Sequence, residues 1–258
     1  MSENKLKAAL KADEVVLGFG IHLREPALVE MAGITGFDFV MIDTEHGNNG
    51  YDILENMVRA AEVSGVTPLI RTPRPNTEYI SRSLEIGFKG VIVPHVKTPN
   101  LAQEIVQASK HAPAGTRSYA NINRAGRYSS IPPSEYVRKA DEEVIVGIQI
   151  EDAEGVDRIE EITAVEGIDL VFIGPYDLSQ SMLRKIAPED PRVVSAMEKI
   201  ITTCRSRNIA GGIFVESLDQ ARRWVEIGAR FLLCSTDVMI FLNGCKTRYE
   251  EFKPLLHD

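Results

Sequence analysis

The segment Asp43-Thr44-Glu45-His46-Gly47 places an imidazole next to two carboxyls. Asp43 or Glu45 could orient the His46 ring and hold one tautomer, the arrangement of a general base working near neutral pH. Glu151 and Asp177 offer hard oxygen donors of the kind Mg2+ and Mn2+ take while leaving coordination positions for substrate and water. Standing alone, two acids so far apart would read as solvated loop residues or helix N-caps. Arg71 suits either an acid at the edge of a core or a carboxylate or enolate oxygen that needs a clamp. Gly174-Pro175-Tyr176-Asp177 can turn backbone N–H groups toward an anion, with none from Pro175. His95 stands between a structural and a functional reading, while His22, His111 and His257 are assigned structural roles. No lysine stands where a Schiff base would need one, since Lys97 lies in a polar turn three residues after Pro94.

What unites these residues is their place relative to eight short apolar, β-branched runs: VVLGFG from Val15, FVMID from Phe39, TPLIR from Thr67, GVIVP from Gly90, VIVGIQIE from Val144, LVFIG from Leu170, IAGGIF from Ile209 and FLLCS from Phe231. Runs of this kind are strands buried on both faces, and the amphipathic stretches between them are crossover helices. Eight such units predict a closed (β/α)8 barrel, in which catalytic groups sit beyond the C-terminal ends of the strands. Strand two runs into Asp43 and His46, strand three ends at Arg71 and strand four runs into His95. Strand five ends in Gln149 and Glu151, and strand six leads through Gly174 to Asp177. The shared strand-end position favours a site over scattered surface acids. Gly211 and Gly212 fall inside a strand and are read as packing residues.

Helix patterns cover Tyr51 to Ser64, Thr77 to Ile86, Leu101 to His111, Val156 to Val165, Pro191 to Arg207 and Leu218 to Ile227. Gly65, Gly87 and Gly228 stand where C-caps belong. Two stretches exceed the minimal repeat, Pro113 to Glu143 and Leu178 to Asp190, and both are expected to cover the active site. A last helix, from about Val238 to Phe252, carries apolar residues on more than one face and is expected to pack on a neighbouring subunit. With no linker to divide it, the chain reads as one domain over residues 1–258.

The chain has 258 residues, 44% of them hydrophobic, enough for a large core without accessory cross-links. A net charge of −8 argues against a nucleic-acid partner. Three widely spaced cysteines form neither a disulfide framework nor a zinc set, which points to a reducing cytoplasm. No apolar stretch of about 18 residues could span a membrane.

The ordered blocks GFDFVMIDTEHG from Gly36, TPLIR, LEIGFKGVIVPHV from Leu84, PAGTRS from Pro113, IQIEDAEGV from Ile148, VEGIDLVFIGPYDLSQS from Val165 and EIGARFLLCSTD from Glu226 resemble the metal-dependent (class II) pyruvate aldolases of the 4-hydroxy-2-oxoheptanedioate and 2-dehydro-3-deoxyglucarate aldolase group. The resemblance implies a TIM barrel of the phosphoenolpyruvate/pyruvate type. It also implies a divalent cation (Mg2+, Mn2+ or Co2+) on Glu151 and Asp177, chelated by a 2-oxo acid. Arg71 would contact the keto oxygen and His46, supported by Asp43, would transfer the proton, with Gln149 and the Gly174, Pro175, Tyr176 turn lining the pocket. A homohexamer, a trimer of dimers, would bring Glu85 of a neighbouring subunit toward the histidine. Gly20 in place of a bulky aromatic, Tyr176 in place of a small residue and Met182-Leu183-Arg184-Lys185 in place of a Gly-containing loop imply an altered aldehyde pocket. A decarboxylase or a macrophomate synthase-like enzyme acting on oxaloacetate is the competing expectation, and a non-catalytic 2-oxo acid binding protein a further one.

Overall fold

The computed structural model describes residues 3–256. Eight parallel strands pair in sequence order, and β1 (Val16–Ile21) closes on β8 (Phe231–Thr236). Between them run β2 (Phe39–Asp43), β3 (Thr67–Arg71), β4 (Gly90–Val93), β5 (Ile145–Ile150), β6 (Leu170–Ile173) and β7 (Ala210–Phe214). A closed cylinder leaves no free sheet edge and buries each strand on both faces, which is why the strands read as unbroken apolar runs.

The core lies in two shells. Between strands and helices packs an outer shell that includes Val40, Ile42, Ile70, Val91, Ile148 and Ile173. Inside the barrel, Phe39, Met41, Leu69, Ile92, Leu170, Phe172 and Phe231 fill the interior. The rings of Phe39 and Phe231 stack with centroids 3.9 Å apart. Room for Phe39 comes from Gly18, where a Cβ would lie 1.9 Å from the ring's tip. The N-terminal end is stoppered by α1 (Lys5–Lys11), which lends Leu6 to the inner shell and pairs Lys7 with Asp169 at 3.0 Å.

The outer ring holds α2 (Pro26–Ile34), α3 (Tyr51–Ser64), α4 (Thr77–Ile86), α5 (Pro99–Ser109), α6 (Pro133–Glu143), α7 (Ala153–Asp157), α8 (Ile159–Thr163), α9 (Pro175–Leu183), α10 (Pro191–Ser206), α11 (Leu218–Ile227) and α12 (Asp237–Phe252). The helix expected over Val156 to Val165 is broken at Arg158 into α7 and α8. The stretch Leu178 to Asp190, expected as a loop, begins as the second half of α9 and only then opens out.

The Pro113 to Glu143 stretch does not cover the mouth of its own barrel. α5 has already carried the chain back to the N-terminal ends of the strands, so the stretch after it must lie there. Ala125 N–H accordingly donates to Glu85 O at the end of α4, Arg124 pairs with Glu62 near the end of α3, and α6 completes the return to β5. Along α12 only Asp237 is buried, and Ile240, Phe241, Leu242, Tyr249 and Phe252 are exposed. Among the described residues no helix is long and apolar enough to cross a membrane. His257 lies outside the described residues, while His111 is buried against Asp141 as a structural histidine.

Candidate active site

At the C-terminal end of the strands a cavity of about 530 Å3 opens, lined by His22, His46, Arg71, Gln149, Tyr176 and Asp177 among others. Gly174, Pro175 and Glu216 also border it. The structure therefore gathers most of the strand-end residues into one place.

Its electrostatic anchor is Asp43, whose side chain is fully buried. Arg71 donates to it from Nε at 3.1 Å and also from Nη2, and His22 Nε2 lies 2.9 Å away. The backbone N–H groups of Glu45 and His46 donate to it at 2.9 and 3.2 Å. Burial alone would raise the Asp43 carboxyl, but the bonds from His22 and Arg71 hold it well below the usual carboxylate range. Asp43 thus grips His46 by its backbone and not by its ring. The His46 side chain is 61% exposed, and its Nε2 lies 3.8 Å from Glu45 Oε2.

His22, assigned a structural role from sequence, stands inside this network. Its Nδ1 faces Asp237 Oδ1 at 3.6 Å, and the Asp237 carboxylate accepts from the backbone N–H groups of His22, Leu23 and Val238. The Asp237 carboxylate facing the ring first, and then Asp43, push the imidazole up to about 9, so His22 is a cation at neutral pH. Both residues obey the strand-end rule. β1 runs to Ile21, one residue past the expected end, and β8 runs to Thr236, so His22 and Asp237 are the first residues beyond their strands.

Glu45 joins the two halves of the site. Its carboxylate lies 3.3 Å from Arg71 Nη1 and 3.4 Å from His95 Nε2. His95 takes a left-handed backbone (φ 57°), which turns its ring and its own N–H back toward the acids. That N–H donates to Glu151 Oε1 at 2.8 Å, and Nδ1 lies 3.2 Å from the same oxygen. Glu45, His95 and Glu151 present ligand atoms within 4.8 Å of one another, a group that could hold a metal ion. Burial raises the carboxyls of both Glu45 and Glu151. Gln149 Oε1 is buried with no hydrogen-bond donor among the described residues, Glu45 Oε2 has the ion pair with Arg71 but no well-aligned hydrogen bond, and Gln149 Nε2 donates to Glu151 Oε2. Acids held this way fit a hard cation, which would lift the penalty of burying them.

Asp177 is not in that trio. It sits exposed in the first turn of α9, near enough to Glu45 for its charge to raise the Glu45 carboxyl. Pro175 begins α9, where its missing N–H costs nothing. Gly174 caps the helix, and a Cβ there would stand 2.7 Å from Glu151 Oε2, so a side chain at 174 would push into the acid cluster. Tyr176 donates its hydroxyl to Glu216 at 2.8 Å, and desolvation, then Glu216, pushes the phenol up to about 12. Glu85 is not at the mouth of its own barrel. It lies in the last turn of α4, paired with Arg82 at 3.2 Å.

Residues 18–244 match the family described as HpcH/HpaI aldolase/citrate lyase. A hydroxypyruvate/pyruvate aldolase of Pseudomonas aeruginosa is 33% identical over 251 residues, covering 97% of this chain and 93% of that protein. A 5-keto-4-deoxy-D-glucarate aldolase of Escherichia fergusonii is 32% identical over 250 residues, 97% of each chain. The solved structure of the citrate synthase SbnG superposes with a TM-score of 0.89 at 28% identity, over 98% of this chain and 99% of that one.

Proposed function

The chain belongs to the HpcH/HpaI aldolase/citrate lyase family, and from that premise we propose that it is a metal-dependent carbon–carbon lyase, an aldolase that splits or forms a 4-hydroxy-2-oxo acid as pyruvate and an aldehyde. The observation that carries this reading is the convergence of Arg71, Gln149 and the Gly174–Asp177 turn on one cavity, with the Glu45 and Glu151 carboxylates held directly behind Arg71 and Gln149.

In this reading Glu151 and Asp177 hold a divalent cation, Mg2+, Mn2+ or Co2+, with Glu45 close by. When bound, the cation supplies positive charge that stabilises the negative charge developing on the 2-oxo acid as the bond to the aldehyde carbon breaks. Arg71, fixed by its fork on Asp43, directs its remaining N–H groups at the keto oxygen. Gln149 holds Glu151 in place through Nε2. Proton transfer at the 4-hydroxyl falls to His46, whose ring is open to the cavity beside Glu45. His22 does not act as that base because it already carries its proton; its charge keeps Asp43 ionised and Arg71 aligned. Tyr176 and Glu216 bound the side where the aldehyde portion lies.

The exposed apolar residues of α12 support a homo-oligomer, a hexamer in this reading. It would supply Glu85 to a neighbouring mouth, and sedimentation of the purified chain tests it. The whole chain acts as one cytoplasmic barrel domain, with small-molecule substrates and no nucleic-acid or membrane partner.

Assaying pyruvate and aldehyde release from 4-hydroxy-2-oxo acids, before and after chelation and with each ion restored, tests the central claim. Aldol cleavage that survives complete chelation would overturn it. The likeness to a citrate synthase favours a second reading, a synthase or decarboxylase acting on oxaloacetate at the same site. Loss of carbon dioxide from oxaloacetate with no aldehyde from any aldol substrate would select it.

A further inference from the structure

At the opposite end of the barrel a second, small cavity of about 60 Å3 lies between the ends of α3 and α4 and the face of α6 that runs from Tyr136 to Glu143, just before β5. Lys89, Arg117, Arg124 and Arg127 line it, and the acids in its wall are Glu62 and Glu143. Both acids are engaged, Glu62 by Arg124 and Glu143 by the backbone N–H of Asn4. Arg117 is only 7% exposed, yet among the described residues it has no carboxylate within ion-pairing distance. Its one hydrogen bond is a long one, Nη2 to the Tyr136 hydroxyl at 3.5 Å, and its Nε has no partner. Arg124 Nε is likewise buried without an acceptor. The Lys89 ammonium makes no ion pair among the described residues, and burial pulls its pKa down.

A guanidinium carries five N–H donors and keeps its charge at any working pH, so burying one without an anion is costly. With Arg124 matched by Glu62, the lining leaves Lys89, Arg117 and Arg127 against Glu143, and Glu85 and Asp141 act on Arg117 through their charge without an ion pair. The cavity's volume is about that of two molecules of liquid water, at roughly 30 Å3 each, which excludes all but a small ligand. Arg127 opens a run of three left-handed residues, Arg127, Tyr128 and Ser129 (φ 48°, 53° and 65°), a conformation L-residues adopt at a cost that a contact to Arg127 would offset.

We propose that this basal cavity is an oxyanion site, that it takes a phosphate group, and that Arg117 is its main ligand with Lys89 and Arg127 beside it. Paired N–H groups of an arginine fork match two oxygens of a phosphate. The ligand is inorganic phosphate or the head group of a small phosphomonoester, and it clamps the 110–132 segment onto the base of the barrel. The proposal rests on this chain's own basal residues and not on the metal at its mouth, although Glu85, which the proposed hexamer would carry to a neighbouring mouth, lies beside the cavity.

The test is thermal unfolding of the whole chain against rising inorganic phosphate, with chloride holding ionic strength constant, repeated for Arg117→Gln, Lys89→Met and Arg71→Met. A saturating rise in the midpoint is expected for the unaltered protein and for Arg71→Met, with the apparent affinity at least about tenfold weaker in Arg117→Gln and Lys89→Met, as loss of a charged hydrogen bond implies. Glycerol 3-phosphate distinguishes the sources: an equal rise marks a phosphomonoester head group, and no rise marks the free ion. Three results would overturn the proposal: no rise beyond that in chloride, an unchanged response in both basal variants, or a response abolished only by Arg71→Met.

Discussion

The two ends of this barrel are charged in opposite senses. The mouth collects Asp43, Glu45, Glu151, Asp177 and Asp237 around Arg71, His22 and His95, an excess of carboxylates. The base gathers Lys89, Arg117, Arg124 and Arg127 around Glu62 and Glu143, an excess of cations. Neither excess can be explained as fold stabilisation, because buried unpaired charge opposes folding. The opposite signs are what the two proposals rest on, a cation at the mouth and an anion at the base. The mouth is arranged by strand ends, each delivering one polar residue to a common rim, whereas the base is arranged by the return of the chain after α5.

The barrier between the ends can be breached directly. Phe39→Ala, which empties the space beside Gly18 and Phe231, is expected to cost about 3–5 kcal/mol of stability by chemical denaturation, as for other buried phenylalanines. A loss under about 1 kcal/mol would mean that the interior is not filled as described. At the mouth, Glu151→Ala should abolish tight cation binding by calorimetry and lower kcat on the order of 10²–10³-fold, with the circular dichroism spectrum unchanged. Wild-type cation affinity in that variant would remove the acid excess as a metal site.

A finer comparison lies within the mouth. If Glu151 and Asp177 hold the ion, Asp177→Ala weakens Mn2+ binding by well over tenfold, and His95→Ala weakens it by about tenfold or less, as expected of an outer contact. The reverse ranking would place the ion on Glu45, His95 and Glu151 instead.

The smallest effect concerns pH. The His22 pKa is raised from its ordinary 6.5 to about 9, so its stabilising contribution is complete below 6.5 and is lost as pH rises through about 9. Thermal midpoints should therefore decline across that window in the unaltered protein, and His22→Gln should flatten the decline. An unchanged slope in the variant would show that His22 is not held as a cation.

The barrel and most of its rim are legible in the sequence because one physical rule covers both: strands buried on two faces read as continuous apolar runs, and the first polar residue after each run faces the mouth. The same rule finds His22 and Asp237 once β1 and β8 are carried to their full lengths. Those ends are obscured by Gly20, which reads as a stop, and by the mixed polarity of Ser235-Thr236. Asp43 binding the ring of His22 and only the backbone of His46 is a matter of side-chain direction, which spacing along the chain does not encode. Four helices, α1, α2, α6 and α9, escape a reading by periodicity because they are short or largely polar and draw their stability from docking. The 113–143 stretch lies at the end opposite to the one its length suggests, because its position after a completed crossover helix decides where it can go.

The stacked rings within the barrel have an effect beyond packing. The rings of Phe39, Phe172 and Phe231 make the middle of the interior largely apolar, with Thr67 and Gln149 as the polar residues registered at their levels. Protons and ions therefore reach each rim chiefly from its own side of the solvent, while the field of an ion bound at one rim is carried through the apolar middle with little screening.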